Sequence, residues 1–217
     1  VPLTFYDASK PFVGVAVKFV CSCNVKKAFE TLPEGPVIVA SNHLSWIDIP
    51  LIGVAIPRRI AFMAKSEYFR SRFHAFLVRL YGGFTVDRGA VDRTALNQAL
   101  AALQDGCALG IFPEGTRSRT LQLQRGKLGI AYLALTNDAS IVPIGISGTE
   151  KIRTRYENKA RLLHRPPVTI NIGQPFKLPP PATSRPSRAE LVAGTETIMQ
   201  RIAGLLPEDY RGVYRDN

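Results

Sequence analysis

Cysteine is scarce in this chain of 217 residues: Cys21, Cys23 and Cys107 are an odd set without a recurring metal-ligand spacing. That excludes a disulfide framework and a zinc ribbon and fits a reducing compartment. Long apolar runs are missing too. The longest stretch with little charge, Pro11 to Cys23, is interrupted by Lys18, and as a helix it would reach only about 20 Å of a roughly 30 Å hydrocarbon slab. No single helix is expected to span a bilayer. Acidic residues are short, with 17 Asp and Glu against 28 Lys and Arg for a net charge of +11. The imbalance points to an anionic partner: nucleic acid, an anionic lipid surface or a phosphorylated substrate. Also absent are a Gly-x-Ser-x-Gly elbow, a P-loop and a Gly-x-Gly-x-x-Gly fingerprint, so a serine hydrolase, a P-loop enzyme and a standard dinucleotide fold are disfavoured. What is plentiful is apolar residues, 46% of the chain, enough for a real core.

Short apolar runs alternate with helix-period segments, the pattern of an α/β domain whose central sheet is largely parallel and flanked by helices. The expected strands are Pro36 to Ser41, Arg59 to Ala64, Gly83 to Val86, Cys107 to Phe112, Ile141 to Ile146 and Val168 to Ile172. Between them, Phe69, Phe73, Phe76, Leu77 and Leu80 share one helical face, with Ser66 as N-cap and Gly82-Gly83 as the stop. Leu96, Ala99, Leu100 and Leu103 repeat the pattern up to Gly106, and a third helix runs through Leu128, Ala131, Tyr132 and Leu135. Five prolines between Pro175 and Pro186 form an extended connector, and Ser187 with Glu190 reads as a capping box opening a C-terminal helix. Residues 1–24 form an N-terminal apolar helical segment, set apart from the α/β domain of residues 25–217. Phe12, Val13, Val15, Val17, Phe19 and Val20 surround that helix. Two readings are open for it: a core helix docked on the sheet, or a segment dipping into one membrane leaflet.

Chemistry-bearing residues cluster after strands. Val37 to Ser41 runs into Asn42-His43, and Asp48 follows in the first turn of a helix. Ligands of open α/β sheets gather at the carboxyl ends of strands, so His43 stands where a general base belongs. A carboxylate five residues on can face it across the first helical turn, accept one ring N–H and leave the other nitrogen basic. A second strand ends in Phe112-Pro113-Glu114-Gly115-Thr116-Arg117-Ser118-Arg119. Here Gly115 permits close backbone approach, Thr116 and Ser118 offer hydroxyls, and the Arg117 fork suits a phosphate. Lys65 and Arg88 also follow strands, so three cations converge on one edge.

Asn42-His43 with Asp48 resembles the NHxxxxD box of the glycerolipid acyltransferases. Phe112 to Arg119 resembles their FPEGTRS box, Gly83 to Arg88 their second box and Ile141 to Ile144 their fourth, all in the family's order. The likeness is strongest to bacterial lysophosphatidate acyltransferases. It implies an enzyme that moves an acyl group from acyl carrier protein or coenzyme A onto lysophosphatidate. His43 would be the general base and Asp48 its orienting partner, while Arg88, Gly115, Thr116 and Arg117, with Lys65 beside them, would form the acceptor site. Glu114 is implicated with two roles open, binding the acceptor or holding its loop. Trp46 reads as packing, with contact to the acyl donor as the alternative. No metal or cofactor is expected, because the thioester donor supplies the activation.

An acceptor with one long chain prefers lipid, which puts the enzyme at a membrane surface with anionic lipids, on the cytoplasmic face. Residues 58–79 are basic and aromatic, and a second basic stretch runs from Lys151 to Arg165. Each is either a lipid- or carrier-facing element or a solvated surface. One rival reading keeps the chemistry on another acceptor, glycerol 3-phosphate or another lysophospholipid; the other, a basic module binding nucleic acid or lipid without catalysis, explains the charge but not a strand that delivers His43 toward a carboxylate. No nucleic-acid partner is expected.

Overall fold

The computed structural model describes residues 3–65, 84–86, 93–152 and 165–215. The helix expected around Phe69 to Leu80, Arg88, and most of the second basic stretch lie outside the described residues. Seven strands form one sheet: β1 (Ser22–Lys27), β2 (Val37–Ser41), β3 (Ile60–Lys65), β4 (Phe84–Val86), β5 (Ala108–Ile111), β6 (Ser140–Ser147) and β7 (Pro167–Ile172). Their spatial order is β1-β7-β6-β2-β5-β3-β4. The run from β6 through β4 is parallel throughout. Strand β7 returns antiparallel to β6, and β1 lies parallel to β7. The largely parallel, mixed α/β sheet read from the sequence is therefore the architecture observed.

Parallel strands buried on both faces read as unbroken apolar runs, and β2 is such a strand, with all five residues buried. Its side chains alternate between two cores. Ile38 and Ala40 join Leu109, Ile111 and Ile141 on the face covered by helices α3 (Arg93–Gln104), α4 (Gly129–Thr136) and α5 (Arg188–Ala203). Val37 and Val39 join Ile60, Phe62, Val142 and Ile144 on the face covered by α1 (Leu3–Val20) and α2 (Asp48–Ala55). Each fully buried Ile, Leu or Val contributes roughly 1.5–3 kcal/mol. Helix α5 opens with the expected capping box: the Ser187 hydroxyl accepts the Glu190 N–H, and Glu190 accepts the Ser187 N–H at 2.7 Å.

The N-terminal segment differs from its simplest reading in two ways. Strand β1 straddles residue 24, so the division drawn there falls inside the sheet. Its sequence Ser-Cys-Asn-Val-Lys-Lys is almost wholly exposed, an edge strand held by main-chain pairing rather than by an apolar pattern. Helix α1, in turn, docks one stripe, Val13, Val17 and Val20, on the second core. It packs along α2, with the Lys10 ammonium donating to the Ile56 carbonyl at 3.1 Å. The opposite stripe stays exposed, at 76% for Phe12, 54% for Val15 and 72% for Phe19. Among the described residues no helix is long and apolar enough to cross a membrane.

Because β2 to β6 run parallel, their carboxyl ends share one edge. His43 follows β2, Lys65 closes β3 in register with Val86 of β4, and Phe112 follows β5. The end of α1 reaches that edge as well: Ser22 donates to Pro166 and pairs with Pro167 at the start of β7, beside the end of β6.

Candidate active site

The loop after β2 is built around one buried carboxylate. Asp48 is fully buried at the start of α2, and its Oδ2 accepts the Leu44 N–H and the Ser45 N–H at 2.7 Å each. The same oxygen lies 2.8 Å from His43 Nδ1. The carboxylate is thus fixed by two main-chain donors before it touches the imidazole, which selects the Nδ1–H tautomer and leaves Nε2 as acceptor. The His43 ring stacks on Phe112 with centroids 3.9 Å apart and 14° between planes. Asn42 anchors the loop from below: its side-chain amide donates to the Ile146 carbonyl at 2.9 Å and accepts the Ile146 N–H at 2.8 Å, continuing the β2–β6 ladder where main-chain pairing stops.

The loop after β5 meets the first through Glu114. One carboxylate oxygen accepts the His43 backbone N–H and the other the Gln124 N–H, each at 3.0 Å. Of the two roles open for Glu114, holding the loop is the one its hydrogen bonds serve. The side chain is 3% exposed. Burial pushes its pKa up to about 7, against the two N–H bonds that favour the carboxylate, and the nearby Asp48 charge adds to the rise. Ser118 is buried; its N–H donates to the His43 carbonyl and its hydroxyl to the Gln122 carbonyl, both at 2.8 Å. It closes the loop rather than presenting a hydroxyl. The tip is open, with Thr116 and Arg117 exposed and Gly115 turned into the left-handed region at φ 72°.

The sheet thus brings His43, Asp48, Glu114, Gly115, Thr116 and Arg117 to one edge, where the Lys65 backbone also ends. Among the nearby main-chain donors, the N–H groups of His43, Leu44, Ser45, Gly115 and Ser118 already have acceptors. An imidazole held by a carboxylate, beside an exposed loop that carries a guanidinium, has the chemistry to accept a proton next to an anion. Residues 24–147, more than half of the chain, match the family described as Acyltransferase. The chain belongs to the acyltransferase family.

This acyltransferase is 31% identical over 180 residues to the 1-acyl-sn-glycerol-3-phosphate acyltransferase of Bacillus subtilis, covering 81% of this chain and 84% of that one. It is also 34% identical over 116 residues to the lyso-ornithine lipid O-acyltransferase of Pseudomonas aeruginosa, covering 53% of this chain and 44% of that protein. Among solved structures, the 1-acyl-sn-glycerophosphate acyltransferase PlsC of Thermotoga maritima superposes with a TM-score of 0.69 at 26% identity, over 92% of this chain and 78% of that one.

Sequence reasoning missed several residues of this acyltransferase. Phe112 reads as the last residue of a strand, yet it forms the floor under the imidazole. Gln124, ten residues beyond Glu114, has no signal in the sequence because only its main chain is used. Trp46, read first as packing, is 58% exposed three residues after His43; the Ile47 side chain, not Trp46, turns into the core.

Proposed function

We propose that this acyltransferase moves an acyl group from a thioester, on acyl carrier protein or coenzyme A, to the free hydroxyl of lysophosphatidate, giving phosphatidate. The observation that carries the reading is the carboxylate-oriented imidazole joined through Glu114 to a cation-bearing loop: His43 Nδ1 is 2.8 Å from Asp48 Oδ2, and the His43 N–H is 3.0 Å from Glu114. The relatives named for 1-acyl-sn-glycerol-3-phosphate support this acceptor.

With Nδ1–H donated to Asp48, Nε2 takes the proton of the acceptor hydroxyl as its oxygen attacks the thioester carbonyl. The tetrahedral adduct then collapses, the C–S bond breaks, and the departing thiolate receives the proton from His43. Asp48 stabilises the transient imidazolium. The donor is a substrate, and its thioester supplies the activation. Ser45, buried and with its N–H held by Asp48, has no part in this direct route. The Thr116 N–H has no acceptor among the described residues and suits the developing oxyanion or the acceptor phosphate. Lys65, Arg88 and Arg117 supply positive charge for that phosphate.

The reaction takes place at a membrane surface in this reading. Phe12, Val15 and Phe19 form an exposed apolar stripe on a helix that ends at the catalytic edge, and exposed Trp46 stands at the same edge. Arg165, also exposed, donates to the Lys18 carbonyl at 2.8 Å and adds a cation there. Apolar and basic groups on one edge fit an anionic lipid interface. The free cysteines fit its cytoplasmic side.

The test is product analysis with defined lysophospholipids and both donor types. Phosphatidate should form from lysophosphatidate, with little product from acceptors lacking phosphate. The lyso-ornithine lipid of the Pseudomonas relative belongs in the panel, and equal turnover of phosphate-free acceptors would contradict the phosphate site.

A further inference from the structure

The loop after β5 is crossed by a side chain from beyond the Phe112 to Arg119 segment. At Gly115, an added Cβ would stand 2.8 Å from both Cε and Nζ of Lys127, so the lysine stem lies against the bare Cα of the glycine. A side chain at that position would meet Lys127 and would also carry the cost of a φ of 72°. Glycine is needed here for space as well as for backbone conformation.

Lys127 is not a loosely tethered surface lysine at its root. Its N–H donates to the Pro113 carbonyl at 2.9 Å, fixing its backbone beside the turn that carries Glu114 and Gly115. The preceding Gly126 sits so close to α5 that an added Cβ would lie 2.8 Å from Met199 Cγ and 2.9 Å from Thr195 Cγ2. Leu123 is tied to the Tyr210 carbonyl at 2.8 Å, and Gln124 to Glu114. At the other end, Lys127 is exposed, and no ion pair involves it among the described residues. The neighbouring carboxylate, Glu114, is buried and already accepts two N–H bonds. The result is a main-chain-anchored cation without a counterion among the described residues, laid over the backbone of the loop that holds Thr116 and Arg117.

We propose that Lys127 binds the acceptor's phosphate, reaching it across Gly115 and facing it together with Arg117. This rests on the lysophosphatidate reading above and adds to it a residue outside the short boxes that carry the sequence resemblance. The ammonium gives a point charge with three donors, complementing the planar guanidinium fork. The role is specificity for a charged headgroup rather than a part in proton transfer.

The experiment compares Lys127→Met, Lys127→Arg and Gly115→Ala with wild type on lysophosphatidate and on monoacylglycerol, its phosphate-free counterpart. Lys127→Met should raise KM for lysophosphatidate by roughly 10- to 100-fold, the range of one charge-assisted contact, with a much smaller change on monoacylglycerol. Lys127→Arg should restore most of the loss. Gly115→Ala should mimic Lys127→Met, and the double variant should be no worse than the weaker single variant. A readout independent of turnover is amine labelling of the whole protein: glycerol 3-phosphate should slow modification of Lys127, read by mass spectrometry, and glycerol should not. Equal losses on both acceptors, no loss, or labelling indifferent to glycerol 3-phosphate would overturn the assignment. If wild type itself ignores the phosphate of its acceptor, the functional reading fails; if it prefers phosphate and Lys127→Met does not alter that preference, only the Lys127 assignment fails.

Discussion

The two loops that meet at the catalytic edge are built on opposite principles. After β2, the working groups are buried and hydrogen-bonded: Asp48 accepts two main-chain N–H groups, and His43 is clamped between Asp48 and the Phe112 ring. After β5, the root is buried and the tip is not. Glu114 and Ser118 are buried, while Thr116 and Arg117 project from an exposed tip. In the proposed reaction, the contrast follows from what each loop would handle. A base must hold one tautomer in one orientation, which needs low dielectric and fixed donors, whereas a charged headgroup that arrives and leaves with its hydration needs reachable cations. Glu114 joins the two, since one oxygen belongs to each side.

Breaking the β2 loop should have the largest effect. His43→Ala removes the base, and transfer should fall by roughly 10²–10⁴-fold on every acceptor, measured as kcat/KM, with the circular dichroism spectrum unchanged. A normal rate would refute the base assignment.

Glu114 sharpens the comparison through pH. Its pKa is raised to about 7 from an ordinary 4.5, so the folded protein binds this proton more tightly than the unfolded chain does. The associated stability is fully present below about pH 4.5 and lost as pH rises through about 7. A shift of this size corresponds to roughly 3 kcal/mol. Denaturant unfolding of wild type should therefore weaken by up to that amount across this window, while Glu114→Gln, which cannot ionise, should lack that component. Parallel pH curves for the two proteins would show that burial does not govern Glu114.

A smaller and selective effect is expected at the open tip. Arg117→Ala should lower kcat/KM for lysophosphatidate by about 10- to 50-fold, as for loss of a charge-assisted contact, and spare an uncharged acceptor. An equal loss on both would assign Arg117 to the fold or the donor. The smallest change concerns neither loop. Phe12→Ser with Phe19→Ser should reduce binding to anionic phospholipid vesicles by about tenfold or more, from the apolar area lost, with turnover of a short-chain soluble acceptor retained. Vesicle affinity that survives both substitutions would move the membrane contact elsewhere.

Much of the fold was legible because its signals are local. The unbroken apolar run Val37 to Ala40 marks a strand buried on both faces, Gly106 at φ 76° stops α3 where expected, and the Ser187–Glu190 box opens α5. Strand β1 was not legible, since an exposed edge strand carries neither alternation nor an apolar run. At the site, His43 and Asp48 were readable because five residues across a helix start bring them together whatever the rest of the chain does. Gln124 and Lys127 were not, because each acts across a loop closure that no short-range pattern encodes.

By itself, the sequence determined the strand-to-loop transitions, the spacing of imidazole and carboxylate, and an excess of positive charge, all of which arise from chemistry within a few residues. Only tertiary structure decided that the loop of His43 and the loop of Arg117 face one another, because parallel pairing of β2 with β5 places their carboxyl ends side by side. It also decided that Glu114 ties the two loops together and that Trp46 points outward, because burial and hydrogen-bond partners are properties of the packed chain.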